Sequence, residues 1–469
     1  MAGPWKRLKP SPKPLKPLSL DPFDLLANLV NKSLVNMEDD EGEARFTFLE
    51  TIRQYAGDKL FEAGEAPAAR DRHLAYYGDQ VTSFGPMTSR LDEIPTLAGM
   101  GNPLLYEWSR KMRPDLENLR AALDWALVTD PELALSMALD MSSLSAYWGL
   151  SDYPIEWLQA AIAGVQSLPE TTAEVTRRRN QLLLAAMTME GNMWIGMNPP
   201  QAYETIQKVL NLARELGPEY ESATAMALTM GSSAAMMTGD LDFAYDLAQE
   251  AIHLYTKLGH RAAGVSSLGI VAAKYLMDGD VETANALFDE SLTLREQLDN
   301  AFIDGLAGIG LFNLALELGK VDAARAILER SEQAFARFHN DRFRIIAKSD
   351  LGHLERRQGN DDKAEAIYCQ TIRVFREAGH RGAVANQLEV LAFIAIHRKE
   401  YRRAATLLGA AEVLRDVSAS KMMPEEREEY ERELSALRAA VSVDDLQVAW
   451  ENGRGLDMDS AVEYALDTA

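Results

Sequence analysis

The chain has 469 residues, of which 47% are apolar, so burying a core poses no difficulty, and the length suits either two to four domains or one long solenoid. A net charge of −23 makes the body a poor binder of phosphate backbones and anionic membranes, and the single cysteine, Cys369, excludes an internal disulfide and points to a reducing compartment. No run of 18 apolar residues offers a membrane span, and the basic N-terminus lacks the apolar core of a secretory signal, so a cytoplasmic location is expected.

Residues 1–17, MAGPWKRLKPSPKPLKP, carry five basic residues and five prolines with no acidic residue. Proline at this density blocks helix and sheet, and a disordered tail is expected. Pro14 and Pro17 also make a minimal PxxP docking pattern, one that is common by chance. Residues 18–66 read as part of a winged helix. Within them RFTFLETIRQYAGDKL (45–60) is the last strand of a small hairpin followed at once by an amphipathic helix, with Phe46, Phe48, Ile52, Tyr55 and Leu60 on its apolar side. This half-module is expected to pack on the first solenoid helices as an N-terminal cap. Its hairpin segment NMEDDEGEAR (36–45) holds five acidic residues against one arginine, the wrong sign for a DNA-contacting wing. Connecting helices are expected over 67–148.

From 149 to 415 the sequence repeats. GDLDFA (239–244), GDVETA (279–284), GKVDAA (319–324), GNDDKA (359–364) and KEYRRA (399–404) fall 40 residues apart. Each glycine suits the left-handed position that ends a helix. Ala244, Ala284, Ala324, Ala364 and Ala404 recur without exception, and Ala251, Ser291, Ser331, Thr371 and Ala411 follow seven residues later, on the same helix face. Each unit therefore reads as helix, turn, helix, and such units must stack to bury their apolar faces. The pattern resembles the tetratricopeptide repeat, with DLGHLERRQGNDDKA (350–364) close to its spacing and 40 residues in place of the usual 34. Two earlier, more degenerate copies lie at 151–168 and 198–217. Residues 416–469 are expected to be capping helices. The expected fold is therefore all-α: a tetratricopeptide-like superhelix behind a small β-hairpin module.

Chemistry is sparse. No GxxxxGK[ST], HExxH or CxxC motif occurs, so no catalytic, cofactor or metal residue is assigned and no enzyme activity is expected. The seven histidines are scattered, and His260 and His380 share a repeat position, at the turn between helices, that suggests capping or turn formation. Cys369 reads as a packing residue, and PEEREEYERELSALRAA (424–440) reads as a solvated helix face. In the tetratricopeptide register the first helix of each unit lines an inner groove. That register and a methionine-rich stretch (Met187, Met189, Met193 and Met197, then Met226, Met230, Met236 and Met237) nominate a ligand- or partner-binding set. The set is Met193, Trp194, Met226, Ser233, Met236, Asn313, Ser349, His353, Arg356, Asn386, Glu389 and Phe393. For each of these the alternative is burial between neighbouring helices.

LLANLVNKSLV (25–35), ARFTFLETIRQYAGDKLFEAGE (44–65), RDRHLAYYGD (70–79) and RPDLENLRAALDWAL (113–127) occur in that order. Together with 404–466 they resemble the region after the ATPase core in bacterial STAND-class, MalT-like transcriptional regulators, which join an NB-ARC nucleotide domain, a winged helix and a helical-repeat sensor. The resemblance implies a non-catalytic sensor or scaffold for a protein, peptide or small-molecule signal, with a P-loop ATPase chain as a possible partner in trans. The Walker motifs and the first winged-helix helices of the family are not in this sequence, so ATP hydrolysis does not carry over. Direct DNA binding is the alternative, and a fragment of a full-length STAND regulator is another.

Overall fold

Glycine–aspartate dipeptides punctuate the helices. At Gly239 the backbone takes a left-handed conformation (φ 81°), and the following Asp240 accepts from the Phe243 amide at 3.3 Å to cap the next helix. Gly279 and Asp280 repeat the device, with a cap bond of 3.0 Å. The computed structural model describes residues 21–40, 43–84, 104–148, 153–169, 171–195, 198–298, 301–337, 341–418, 422 and 424–467. The proline-rich tail and Met197 lie outside them. The chain divides into two compact units, residues 1–80 with 116–130, and 81–115 with 131–469.

The first unit opens with α1 (Pro22–Asn31), capped by Asp21, which accepts from the Phe23 amide at 2.8 Å. Strands β1 (Val35–Asp40) and β2 (Glu43–Phe48) pair antiparallel, with Val35 opposite Phe48 and Asp40 opposite Glu43. Next come α2 (Glu50–Glu62), α3 (Ala66–Phe84), α4 (Leu104–Met112), which belongs to the second unit, and α5 (Leu116–Thr129). Trp125 on α5 donates its indole N–H to Asp71 on α3 at 2.9 Å, and the Arg70 guanidinium sits over the same ring. The expected apolar side of the hairpin and α2 is not packed away. No residue of α2 is buried, Phe46, Phe48 and Tyr55 are exposed, and Ile52 and Leu60 are half-buried. Five of the 13 α2 residues are charged, and only a narrow stripe, Ile52, Ala56 and Leu60, is half-buried.

The second unit is a run of antiparallel helix pairs. Before the regular repeat stand α6 (Pro131–Trp148) with α7 (Tyr153–Gln166) and α8 (Ala173–Ile195) with α9 (Pro199–Leu216). The 40-residue units then follow: α10 (Glu221–Thr238) with α11 (Leu241–Lys257), α12 (Val265–Met277) with α13 (Val281–Arg295), and α14 (Ala301–Glu317) with α15 (Val321–Arg337). The last two are α16 (Asp341–Arg357) with α17 (Asp361–Glu377), and α18 (Arg381–His397) with α19 (Tyr401–Ser418). Pairing thus begins at Pro131, earlier than the sequence pattern shows. The recurring Ala244, Ala284, Ala324, Ala364 and Ala404 are fully buried, as are the small residues seven positions on, because each is the point where the two helices of a pair approach.

Along α6 to α16 the first helices of successive pairs pack on one another, so they form the inner wall of the superhelix. The wall curls far enough that α6 also meets α16. Three helices close the C-terminus: α20 (Pro424–Ala440), α21 (Val443–Arg454) and α22 (Met458–Leu466). α21 lies almost backbone to backbone on α19: a Cβ on Gly409 would overlap the Trp450 carbonyl, and one on Gly453 the Thr406 carbonyl. α22 packs on α17, α18 and α19, and Arg403 donates to the Ala465 and Asp467 carbonyls at 2.7 and 2.6 Å.

Candidate functional site

The 40-residue period writes one stripe along the inner helices. Positions 226, 266, 306, 346 and 386 start it, and positions four and seven residues on continue it. In the middle repeat this stripe is open. Gly310 and Asn313 on α14 are exposed, Leu306 and Ile309 are half-buried, and a Cβ added to Gly310 would meet nothing within 4 Å. In the last repeat the equivalent Phe393 is only 4% exposed.

The nominated residues fall into three groups. Met193 and Met226 are buried in the packing of α8 and α10, and half-buried Met236 packs on the core cluster around Ala235 and Ala244. Trp194 is half-buried and turns its indole N–H toward Glu190 at 3.4 Å, and the Ser233 hydroxyl bonds back to the Thr229 carbonyl at 3.1 Å. Inner helices this rich in apolar residues are wrapped by neighbours on most sides, which leaves methionine as filling. Ser349 and Glu389 are spent on holding helices together. Ser349 accepts from Gln387 at 2.8 Å, and Glu389 takes a bidentate pair from Arg415 on α19 at 2.5 and 2.6 Å. Asn313 is exposed on the open stripe.

The remaining four, His353, Arg356, Asn386 and Phe393, do come together, and with them stands a helix the sequence pattern left in solvent. On α20, Glu426, Glu429, Tyr430, Glu433, Leu434 and Leu437 are buried or half-buried, while the residues between them, and Arg438 to Ala440, are exposed. Their spacing of i, i+3, i+4, i+7, i+8, i+11 is one helical stripe. It was legible in the sequence but masked by the six glutamates of the segment, which make it look uniformly solvated. The stripe lies on α16 and α18. Arg356 donates to both oxygens of Glu429 at 2.7 and 2.8 Å, Asn386 reaches Glu426 at 3.4 Å, His397 lies 3.5 Å from Glu433, and the Phe393 and Tyr430 rings meet edge to face at 6.3 Å.

The electrostatics follow from that closure. His353 shares a 3.1 Å hydrogen bond with the Tyr368 hydroxyl, and burial, with the charges of Arg356 and Arg357, pulls its pKa down to about 3. It is therefore a neutral ring at physiological pH. Asp350, one turn earlier, is pushed up to about 8 by burial and by the Glu426 carboxylate facing it. Burial works against the charge of Glu429, yet the Arg356 pair outweighs it and holds Glu429 below the usual carboxylate range. Burial lifts Tyr430 to about 12. Elsewhere His260 and His380 stand at helix starts without capping them, and the His380 ring instead packs edge-on against Phe375. Cys369 is half-buried, and burial raises its thiol. Among the described residues no group of three His, Cys, Asp or Glu is arranged to hold a metal ion, and no helix is long and apolar enough to cross a membrane.

Helix pairs, a glycine-punctuated period and an inner wall of first helices define the class: a tetratricopeptide-like α-solenoid. The chain is similar to proteins named as HTH-type transcriptional regulators in Mycobacterium bovis and Mycobacterium tuberculosis, at 24% identity over 95% of this chain and 62% of theirs. It therefore spans a little under two thirds of the length of those relatives. No family model matches. Among solved structures it is similar to a Rap protein complexed with competence and sporulation factor, at 16% identity and TM-score 0.44, covering 75% of this chain and 99% of that one. It is also similar to a STAND protein with a tetratricopeptide repeat sensor from Pyrococcus horikoshii, at 15% identity and TM-score 0.35, covering 90% and 61%.

Proposed function

We propose that the chain is a non-catalytic sensor or scaffold that binds a protein or peptide signal along its inner wall, as the sensor part of a transcriptional regulator. The observation that carries this reading is the open stripe on α14, where Leu306 and Ile309 offer apolar surface beside the exposed Gly310 and Asn313. Other polar groups on the wall are engaged: His353 with Tyr368, Arg356 with Glu429, Glu389 with Arg415. Such locked pairs suit a shaped surface rather than acid–base chemistry. The similarity to named transcriptional regulators supports the regulatory context.

The test is affinity purification of the tagged chain from its own cells, beside the double variant Gly310→Arg, Asn313→Arg. A Cβ at 310 meets nothing within 4 Å and Asn313 is exposed, so the thermal midpoint should hold within about 2 °C. A partner recovered with the parent and lost with the variant is the expected result. Equal recovery by both would remove the inner wall as the binding surface.

A further inference from the structure

Helix α20 is held differently from its neighbours. α19 and α21 are joined directly, through the close approaches at Gly409 and Gly453, the Thr406 hydroxyl bond to the Ala449 carbonyl at 3.1 Å, and Glu412, which takes the indole N–H of Trp450 at 2.8 Å. α22 is tied to the same body by Arg403. The whole C-terminal cap therefore stands without α20, which spans between two anchored ends. Among the described side chains of α20 only Glu433 and Leu437 are buried; it is held by the Arg356–Glu429 pair, Asn386 to Glu426 and His397 to Glu433, and by Tyr430, Leu434 and Leu437, which pack on the C-terminal core. Glu426 also faces Asp350, which burial and that carboxylate keep protonated.

We propose that α20 is a self-ligand: a displaceable latch occupying a site on α16 and α18 that receives an acidic amphipathic helix from a partner protein. This rests on the inner wall being the binding surface, and it names the partner's chemistry. The incoming helix presents carboxylates at i, i+3 and i+7 and an aromatic at i+4, the positions of Glu426, Glu429, Glu433 and Tyr430. Arg356 takes the second carboxylate in a bidentate pair, and Phe393 takes the ring. A tethered occupant competes at a local concentration on the order of millimolar, so the partner binds well only when the latch yields. The occupant being replaced is itself acidic, which is the observation that sets the partner's charge.

The probe is a fluorescein-labelled synthetic peptide of residues 424–440, titrated by anisotropy into the purified full chain and two variants. Glu429→Lys sets a cation against Arg356 and should free the latch, so the peptide should bind at least tenfold more tightly than to the parent. Adding Arg356→Glu restores the ion pair in reverse, closes the latch and rejects the peptide, returning binding to the parental level. The proposal fails if Glu429→Lys binds the peptide no better than the parent, or if the double variant binds as tightly as Glu429→Lys. Should circular dichroism show Glu429→Lys unfolded, hydrogen exchange on the parent decides. Amides of α20 exchanging at least tenfold faster than those of α19 and α21 support the latch, and equal protection overturns it. Because no natural partner enters these measurements, the latch can fail while the open stripe on α14 still binds one, and the converse also holds.

Discussion

Asp350 and His353 lie one helical turn apart on α16 and are shifted in opposite directions. Asp350 holds its proton up to about pH 8 when folded, against an ordinary value of 3.8, so the stability tied to its neutral form is full below pH 4 and is lost as the pH rises to 8. His353 is the reverse: its folded value of about 3 lies below the ordinary 6.5, so its contribution is full above pH 6.5 and is lost as the pH falls toward 3. Between pH 4 and 6.5 the two slopes oppose and largely cancel, so urea midpoints should form a plateau there and fall below pH 4 and above pH 6.5. Asp350→Asn keeps the shape and removes the charge. It should raise stability by on the order of 1–2 kcal/mol at pH 9 and leave pH 4 nearly unchanged. A parental loss between pH 6.5 and 8 that survives in the variant would show that another group carries it. The sequence names both residues but not their environment, since the opposing Glu426 comes from a segment 76 positions away (426 against 350).

Among elements, the turn between α18 and α19 departs from the pattern. Gly239, Gly279, Gly319 and Gly359 all take positive φ, and in the fifth copy Lys399 is held at φ 65°. A side chain in that conformation costs on the order of 1 kcal/mol, so Lys399→Gly should stabilise the chain by about 0.5–1 kcal/mol, read from the urea midpoint. No gain would mean that the added freedom of the unfolded glycine cancels the relieved strain. A second local device is the pair of Arg295 and Asp304, both nearly fully buried, which meet at 2.8 Å where α13 turns into α14. Gly308 leaves room for it, since a Cβ there would overlap Ser331 and crowd the guanidinium. Asp304→Ala strands a buried cation and should cost roughly 3–5 kcal/mol in thermal or urea unfolding, while Asp322→Ala, in the exposed first turn of α15, should change stability by under about 0.5 kcal/mol. The 40-residue period announced the helices and their ends. It could not announce this pair, because Asp304 recurs in no other repeat and Arg295 only at Arg415, which pairs with Glu389 instead.

For the whole molecule, charge bears on the DNA-binding alternative. With a net charge of −23 and a hairpin that sets Asp40 opposite Glu43, the chain should pass through a DNA column at 50 mM salt without retention. Salt-sensitive retention would reinstate direct DNA contact. The amino-acid sequence alone determined the repeat, the helix ends and the buried small residues, because each depends on backbone conformation and on contacts within one pair of helices. It nominated His353, Arg356, Asn386 and Phe393 but not the helix that meets them. Only the tertiary structure decided that the wall is open at Asn313 and closed at Phe393, and that an acidic helix does the closing. Which surface meets which depends on how the pairs stack and how far the superhelix curls, and those distances between residues remote in sequence leave no period behind them.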